Sequence, residues 1–347
     1  MKYQEAYLKD HPDQRMILNT DADVTDHDKL EINWGCPFNP AFRQRRLNSL
    51  RTIGRVPNLT EVWINDEALL GFYVDRLGCY CPVCREAWRA EFGGEIPRPP
   101  FGNAEAKRQF TLWRIRRWNE VHAEMKVALN EHHRVRAVHL CNATCCTSLN
   151  PWVSAVDLMS MVEGIDGLMT DPYYTFHETD FHPPEVYMSE ICRILRGFCG
   201  EGKNAGLCAQ GFSHATFSHP LDERDGWWVG IVPAALGMDE VTAYTYLLQQ
   251  ISPMQETYEK SFSLDKYFCR TQPVDFIGIV NSVETQCLDV DVDRGTDSWL
   301  RSRMLTLGEV TRHNALPYGY VQRLPTTRRI SAGRGYNATG FYIPPRR

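Results

Sequence analysis

The 347-residue chain lacks most of the features that identify a protein at a glance. No apolar run approaches the roughly 20 residues that a membrane span needs, which predicts that no membrane is engaged. Neither sign of charge dominates: 38 basic and 43 acidic side chains leave a net charge of −5. That argues against nucleic acid as the main partner. The opening MKYQEAYLKDHPDQR has no apolar stretch of the signal-peptide kind, so a cytoplasmic, reducing location is expected. There is no Gly-rich phosphate loop, no GxSxG elbow, and no HExxH or HxH pairing for a catalytic metal. Twelve cysteines are too few for a disulfide scaffold of this length. What is present in quantity is apolar side chain, at 43% enough for a sizeable core.

Short apolar runs alternate with helical patterns, which is the signature of βα units around a parallel sheet. The predicted strands are 15–20 (RMILNT), 61–66, 136–141, 165–171, 205–210 and 238–246. Their runs are continuous rather than alternating, as parallel strands covered on both faces require. Helices are predicted over 41–53, 104–132 and 184–198. The middle one carries Phe110, Trp113, Trp118, Val121, Met125 and Leu129 on one stripe, and all three are expected to pack on the sheet. A change of style after 265 suggests a second α/β domain over 270–325, with a strand in 273–285 and a helix over 298–314. The basic, Gly- and Pro-rich stretch 326–347 reads as a poorly ordered tail.

The chemistry concentrates in 62–88, VWINDEALLGFYVDRLGCYCPVCREAW. A strand ends in Asn65-Asp66-Glu67, and about a dozen residues later Cys79, Cys81 and Cys84 form CxCxxC at the start of a helix. Carboxylates at strand ends can serve as general acid, base or nucleophile. Three thiolates at this spacing are one ligand short of a tetrahedral metal site, and Cys36 is the nearest upstream cysteine. Three reduced thiols capping a turn is the other reading of the same cluster.

An Asn-Asp-Glu strand end followed by CxCxxC resembles family 42 of the glycoside hydrolases, β-galactosidase-like enzymes. The likeness covers most of 10–320: His11-Pro12-Asp13, GLMTDPYY (167–174), LGMDEVTAYTY (236–246) and 273–282 are similar to further elements of that family. The resemblance implies a (β/α)8 TIM barrel without its first strands, ahead of the start of a flavodoxin-like, trimerisation-type α/β domain, in a chain cut at both ends. It implies hydrolysis of a β-linked sugar, a structural Zn2+ held by Cys36, Cys79, Cys81 and Cys84, no catalytic cofactor, a carbohydrate partner and a homotrimer. Glu67 takes the place of the acid/base.

Two positions depart from the family. Asp66 stands where an Asn would donate to a sugar hydroxyl, and a carboxylate accepts unless protonated. Gln210 stands at the strand end where the nucleophilic Glu belongs, and an amide cannot form a glycosyl ester. Replacement carboxylates are Asp171, Glu178, Asp180 and Glu240, of which Asp171 is preferred because Tyr173 and Tyr174 beside it can stack on a sugar face. Asn142, Gln210, Trp227 and Trp228 complete the candidate sugar-binding set, with both tryptophans assigned to a loop before the last strand. A catalytically impaired carbohydrate-binding or scaffold barrel is the alternative function.

Overall fold

The structure is a computed structural model that describes residues 2–19, 34–65, 70, 77–142, 154–171, 184–200, 202–211, 222–244, 248–268, 277–280, 318–321 and 341–342. The chain divides into two units. One comprises Met1–Ala137, Leu149–Ile165 and Val283–Ser298; the other comprises Val138–Ser148, Asp166–Ser282 and Trp299–Arg347.

The first unit is built on a long helix. It contains α1 (Lys2–Asp10), a 3-10 turn (Pro12–Gln14), α2 (Pro40–Ile53), β1 (Glu61–Asn65), α3 (Pro82–Phe92), α4 (Ala104–Leu129) and α5 (Leu158–Gly164). The predicted stripe of α4 is buried along its whole length, from Phe110 to Leu129, as a one-sided apolar pattern requires. Helix α2 does not lie on the sheet as expected but against α4. Leu47 is buried while Ile53 is 40% exposed; an Arg43–Glu124 ion pair joins the two helices, and Arg51 pairs with Glu131 just beyond the end of α4, at 2.5 Å each.

Residues 15–19 do not form the predicted strand. Among the described residues this segment makes two isolated antiparallel bridges, Arg15 to Gly35 and Leu18 to Gly78. Its apolar side chains Met16 and Leu18 are buried against the two cysteine-bearing loops. Burial without a ladder produces the same sequence pattern as a central strand.

The other predicted strands hold. After β1 come β2 (Arg136–Asn142), β3 (Gly167–Asp171), β4 (Asn204–Gln210) and β5 (Glu240–Tyr244), in the order β1-β2-β3-β4-β5. From β2 to β5 every pairing is parallel. Helices α6 (Pro184–Cys199) and α7 (Glu223–Ala235) supply the crossovers, and α8 (Leu248–Phe262) and α9 (Asp265–Phe268) follow β5. Sequential parallel strands with intervening helices make part of a (β/α)8 barrel. All five residues of β3 are buried, and Val138, Met169 and Cys208 pack together as a small core across three strands.

Helices α7 and α8 approach closely through glycine. A Cβ on Gly226 would lie 2.4 Å from the Met254 carbonyl oxygen and 2.0 Å from Thr257 Oγ1, whose hydroxyl donates to the Glu223 carbonyl at 2.6 Å. Gly226→Ala should therefore cost about 1–3 kcal/mol through overpacking, read as a fall in the midpoint of urea unfolding.

The described residues also form a three-stranded sheet, within the unit that holds β3 to β5. It has the order β7-β6-β8, with β6 (Ile277–Val280) parallel to β7 (Tyr318–Val321) and antiparallel to β8 (Phe341–Tyr342). Strand β8 lies within the stretch expected to be a disordered tail; the rest of that stretch and the predicted helix 298–314 fall outside the described residues. No helix among the described residues is long and apolar enough to cross a membrane.

Candidate functional site

The four cysteines predicted as ligands come together. The sulfurs of Cys36, Cys79, Cys81 and Cys84 all lie within 4.8 Å of one another, and all four residues are buried. Cys36 Sγ and Cys84 Sγ are 3.6 Å apart, too far for a disulfide at about 2.05 Å. Four sulfurs about 2.3 Å from one central ion would be separated by about 3.8 Å. The cage therefore fits a tetrahedral metal, and its donors are the soft thiolates that such an ion prefers.

Local structure explains how two distant segments meet. Cys36 stands before α2, whose N-cap Asn39 accepts from the Ala41 and Phe42 amides at 3.0 and 3.3 Å, with Pro40 at the first helical position. Gly35 is needed because a Cβ there would sit 2.3 Å from the Phe42 ring. Cys81 is the N-cap of α3, and Pro82 opens that helix. The segment 14–19 binds both loops: Cys36 N–H donates to Gln14 O (2.8 Å), Tyr80 N–H to Ile17 O (2.8 Å) and Asn19 N–H to Leu77 O (2.9 Å). The Leu77 amide returns a bond to Asn19 Oδ1 at 3.1 Å. Beside the cage, Tyr80 stacks on Phe110 at 5.7 Å, and Trp113 meets Phe38 and Trp88 edge-on at 6.3 and 5.4 Å.

The sulfurs share their protons unequally. Burial, with the neighbouring thiols, pushes Cys36 well above the ordinary thiol range. Hydrogen bonding to the other three thiols raises Cys84 in the same way and pulls Cys81 strongly down. Four buried thiolates together would repel one another, so full ionisation requires a cation in their midst.

The remaining candidates distribute along the strand ends. β1 closes at Asn65; Asp66 and Glu67 fall outside the described residues, as do Tyr173, Tyr174, Glu178 and Asp180. Asp171 is the last residue of β3, is 7% exposed, and is the register partner of Asn142 at the end of β2. Gln210 ends β4 opposite Tyr244. These termini are the carboxyl ends of parallel strands, where barrel enzymes assemble their sites. Burial raises the Cys208 thiol, and the nearby carboxyls of Asp171 and Glu240 push it the same way. Glu240, however, opens β5 and accepts from Asn204 Nδ2 at 3.2 Å, so it stands at the amino end of its strand and away from that face.

Trp227 and Trp228 are in α7 and not in a loop. Asp222 and Asp225 form a reciprocal capping box that starts the helix just before them. Trp227 is half-buried and Trp228 is 38% exposed. Two residues that the sequence did not single out lie beside the cage. Arg114, fully buried in α4, donates through Nη2 to the Leu70 carbonyl at 2.6 Å, and Leu70 is itself buried three residues beyond Glu67.

The fold is part of a (β/α)8 barrel, and two solved structures similar to it are glycoside hydrolases. The chain is similar to the β-galactosidase from the psychrophilic Marinomonas ef1, with a TM-score of 0.66 at 11% identity over 91% of this chain and 57% of that one. It thus spans little more than half of that protein's length. It is also similar to the glycoside hydrolase domain of PgaB (BpsB) from Bordetella bronchiseptica, with a TM-score of 0.52 at 12% identity over 74% of this chain and 70% of that one. No protein-family profile and no curated protein sequence matches the chain significantly.

Proposed function

We propose that the protein is a glycoside hydrolase acting on a β-linked sugar, related to family 42, with Glu67 as acid/base and Asp171 as the second carboxylate. The observation that carries this reading is the barrel's likeness to a β-galactosidase combined with a buried carboxylate, Asp171, at the carboxyl end of β3. Asn142, its register partner, supplies an amide for a sugar hydroxyl; Tyr173, Tyr174 and Trp228 supply aromatic faces. The cysteine cage holds zinc in a structural role, because four protein ligands leave no open position for water. The barrel portion is 1–265, and assembly into a homotrimer follows from the same kinship.

The chemistry requires a proton for the leaving oxygen and a carboxylate on the other face of the sugar. Glu67 supplies the first. Gln210 cannot supply the second, which leaves Asp171. A carboxyl separation of roughly 5–5.5 Å would give retention of configuration and one of roughly 6.5–9.5 Å inversion. Wild type should release the aglycone from aryl β-galactosides, and Asp171→Asn should lower kcat by about 100-fold or more. An Asp171→Asn protein as active as wild type would remove Asp171 from the mechanism.

Gln210 also favours a second reading, a carbohydrate-binding barrel without turnover. Saturable sugar binding by calorimetry, with no aglycone released by wild type, would select it.

A further inference from the structure

The cage is coupled to the chain that follows Glu67 through one oxygen atom. The Leu70 carbonyl accepts from Arg114 Nη2 at 2.6 Å and from the Gly78 amide at 2.5 Å. Gly78 precedes Cys79 in the chain, so the guanidinium and the first residue of the cysteine loop meet on the same acceptor. The Leu70 amide in turn donates to the Ser154 carbonyl at 3.1 Å. Leu70 is 1% exposed and Arg114 is 0% exposed. Gly78 is packed closely, with no space for a side chain: a Cβ there would meet Met16 Sδ at 2.6 Å.

Arg114 is an unusual occupant of the stripe that carries Phe110, Trp113 and Trp118. Burial depresses its pKa to about 10, and Tyr80, Cys79 and Cys84 are the groups that act to hold its charge in place. Its guanidinium also lies 4.9 Å from the Phe110 ring centroid. A buried cation is costly unless negative charge compensates it. A divalent ion in four thiolates leaves about two surplus negative charges, and that surplus is equally costly to bury. Each charge relieves the other.

We infer that Arg114 is the positioning residue of the metal centre: its guanidinium balances the metal–thiolate charge and, through the Leu70 carbonyl, makes the order of Leu70 and Gly78 depend on metal occupancy. The inference rests on the reading of the cysteine cage as a metal site. It requires no sugar chemistry.

The test compares the full chain as wild type, Arg114→Met and Arg114→Lys. Zinc affinity is measured by competition with a chromophoric chelator, and amide hydrogen exchange is followed at Leu70 and Gly78. Arg114→Met should bind zinc 10- to 100-fold more weakly, the range for partners that support metal ligands. Arg114→Lys keeps the charge and should recover most of that loss. The cobalt-loaded proteins should keep tetrahedral thiolate absorption in all three cases, which shows that the ligands themselves are intact. In wild type, stripping the metal should speed exchange at Leu70 and Gly78 at least tenfold, a readout that needs no variant to fold.

Equal zinc affinity in wild type and Arg114→Met would overturn the charge-balancing role. Unchanged exchange on stripping wild type would overturn the coupling. Failure of wild type to bind zinc at all would overturn the metal site itself, and absence of glycosidase activity with these results intact would overturn only the hydrolase reading.

Discussion

Glu67→Gln should lower kcat on aryl β-galactosides by about 100- to 10,000-fold, the contribution expected of a positioned general acid/base. The loss should depend on the leaving group. A strongly acidic phenol departs without a proton, so its glycoside should lose least, whereas an alkyl or sugar leaving group needs the proton and should lose most. Similar rates for wild type and Glu67→Gln across leaving groups would dismiss Glu67 as the proton donor.

Removing the metal should be the largest single blow to stability. A chelator strong enough to strip zinc should lower the Tm by about 10 °C or more, since a structural thiolate site contributes several kcal/mol and each kcal/mol shifts a domain of this size by about 2–4 °C. Cys81→Ser provides the control. Serine is a good N-cap, so α3 keeps its start while the cage loses a ligand. The variant should contain little zinc, unfold at a lower temperature, and be indifferent to chelator. Because burial holds Cys36 well above the usual thiol range, zinc must displace protons to bind, and its affinity should weaken as pH falls. Wild type whose melting is unchanged by chelation would favour four reduced thiols over a metal.

The sheet was readable from sequence because parallel strands in a buried sheet leave continuous apolar runs, and the runs at β1 to β5 each lie between recognisable helices. Residues 15–20 carry the same kind of run for a different reason: Met16 and Leu18 are covered by the cysteine loops, and hydrophobicity alone does not distinguish a ladder from an isolated bridge. Trp227 and Trp228 were misassigned because Gly226, Gly230 and Pro233 around them look like loop residues. The signal that starts the helix was present in Asp222 and Asp225, spaced for a capping box, and the glycines are there to admit α8. The CxCxxC part of the cysteine cage is legible from spacing, whereas Cys36 follows from its place upstream and from the family resemblance. Arg114 is not legible, because an arginine on an apolar stripe ordinarily reaches out to solvent, and only the tertiary arrangement brings the Leu70 carbonyl to meet it.

The pairing of Cys36 with Cys84 spans 48 positions of sequence, which has a consequence for how the protein is made. A metal fastening two points that far apart would remove chain entropy from the unfolded ensemble worth about 4 kcal/mol by the cross-link relation, but only once both ends exist. During synthesis the cage has no complete ligand set until residue 84 has left the ribosome. Segment 14–19, which hydrogen-bonds to both cysteine loops, can complete those bonds only once residue 80 has emerged. A metal bound in the cage would be captured only after the CxCxxC element has emerged, and nascent chains ending before it should remain protease-sensitive around residues 14–36.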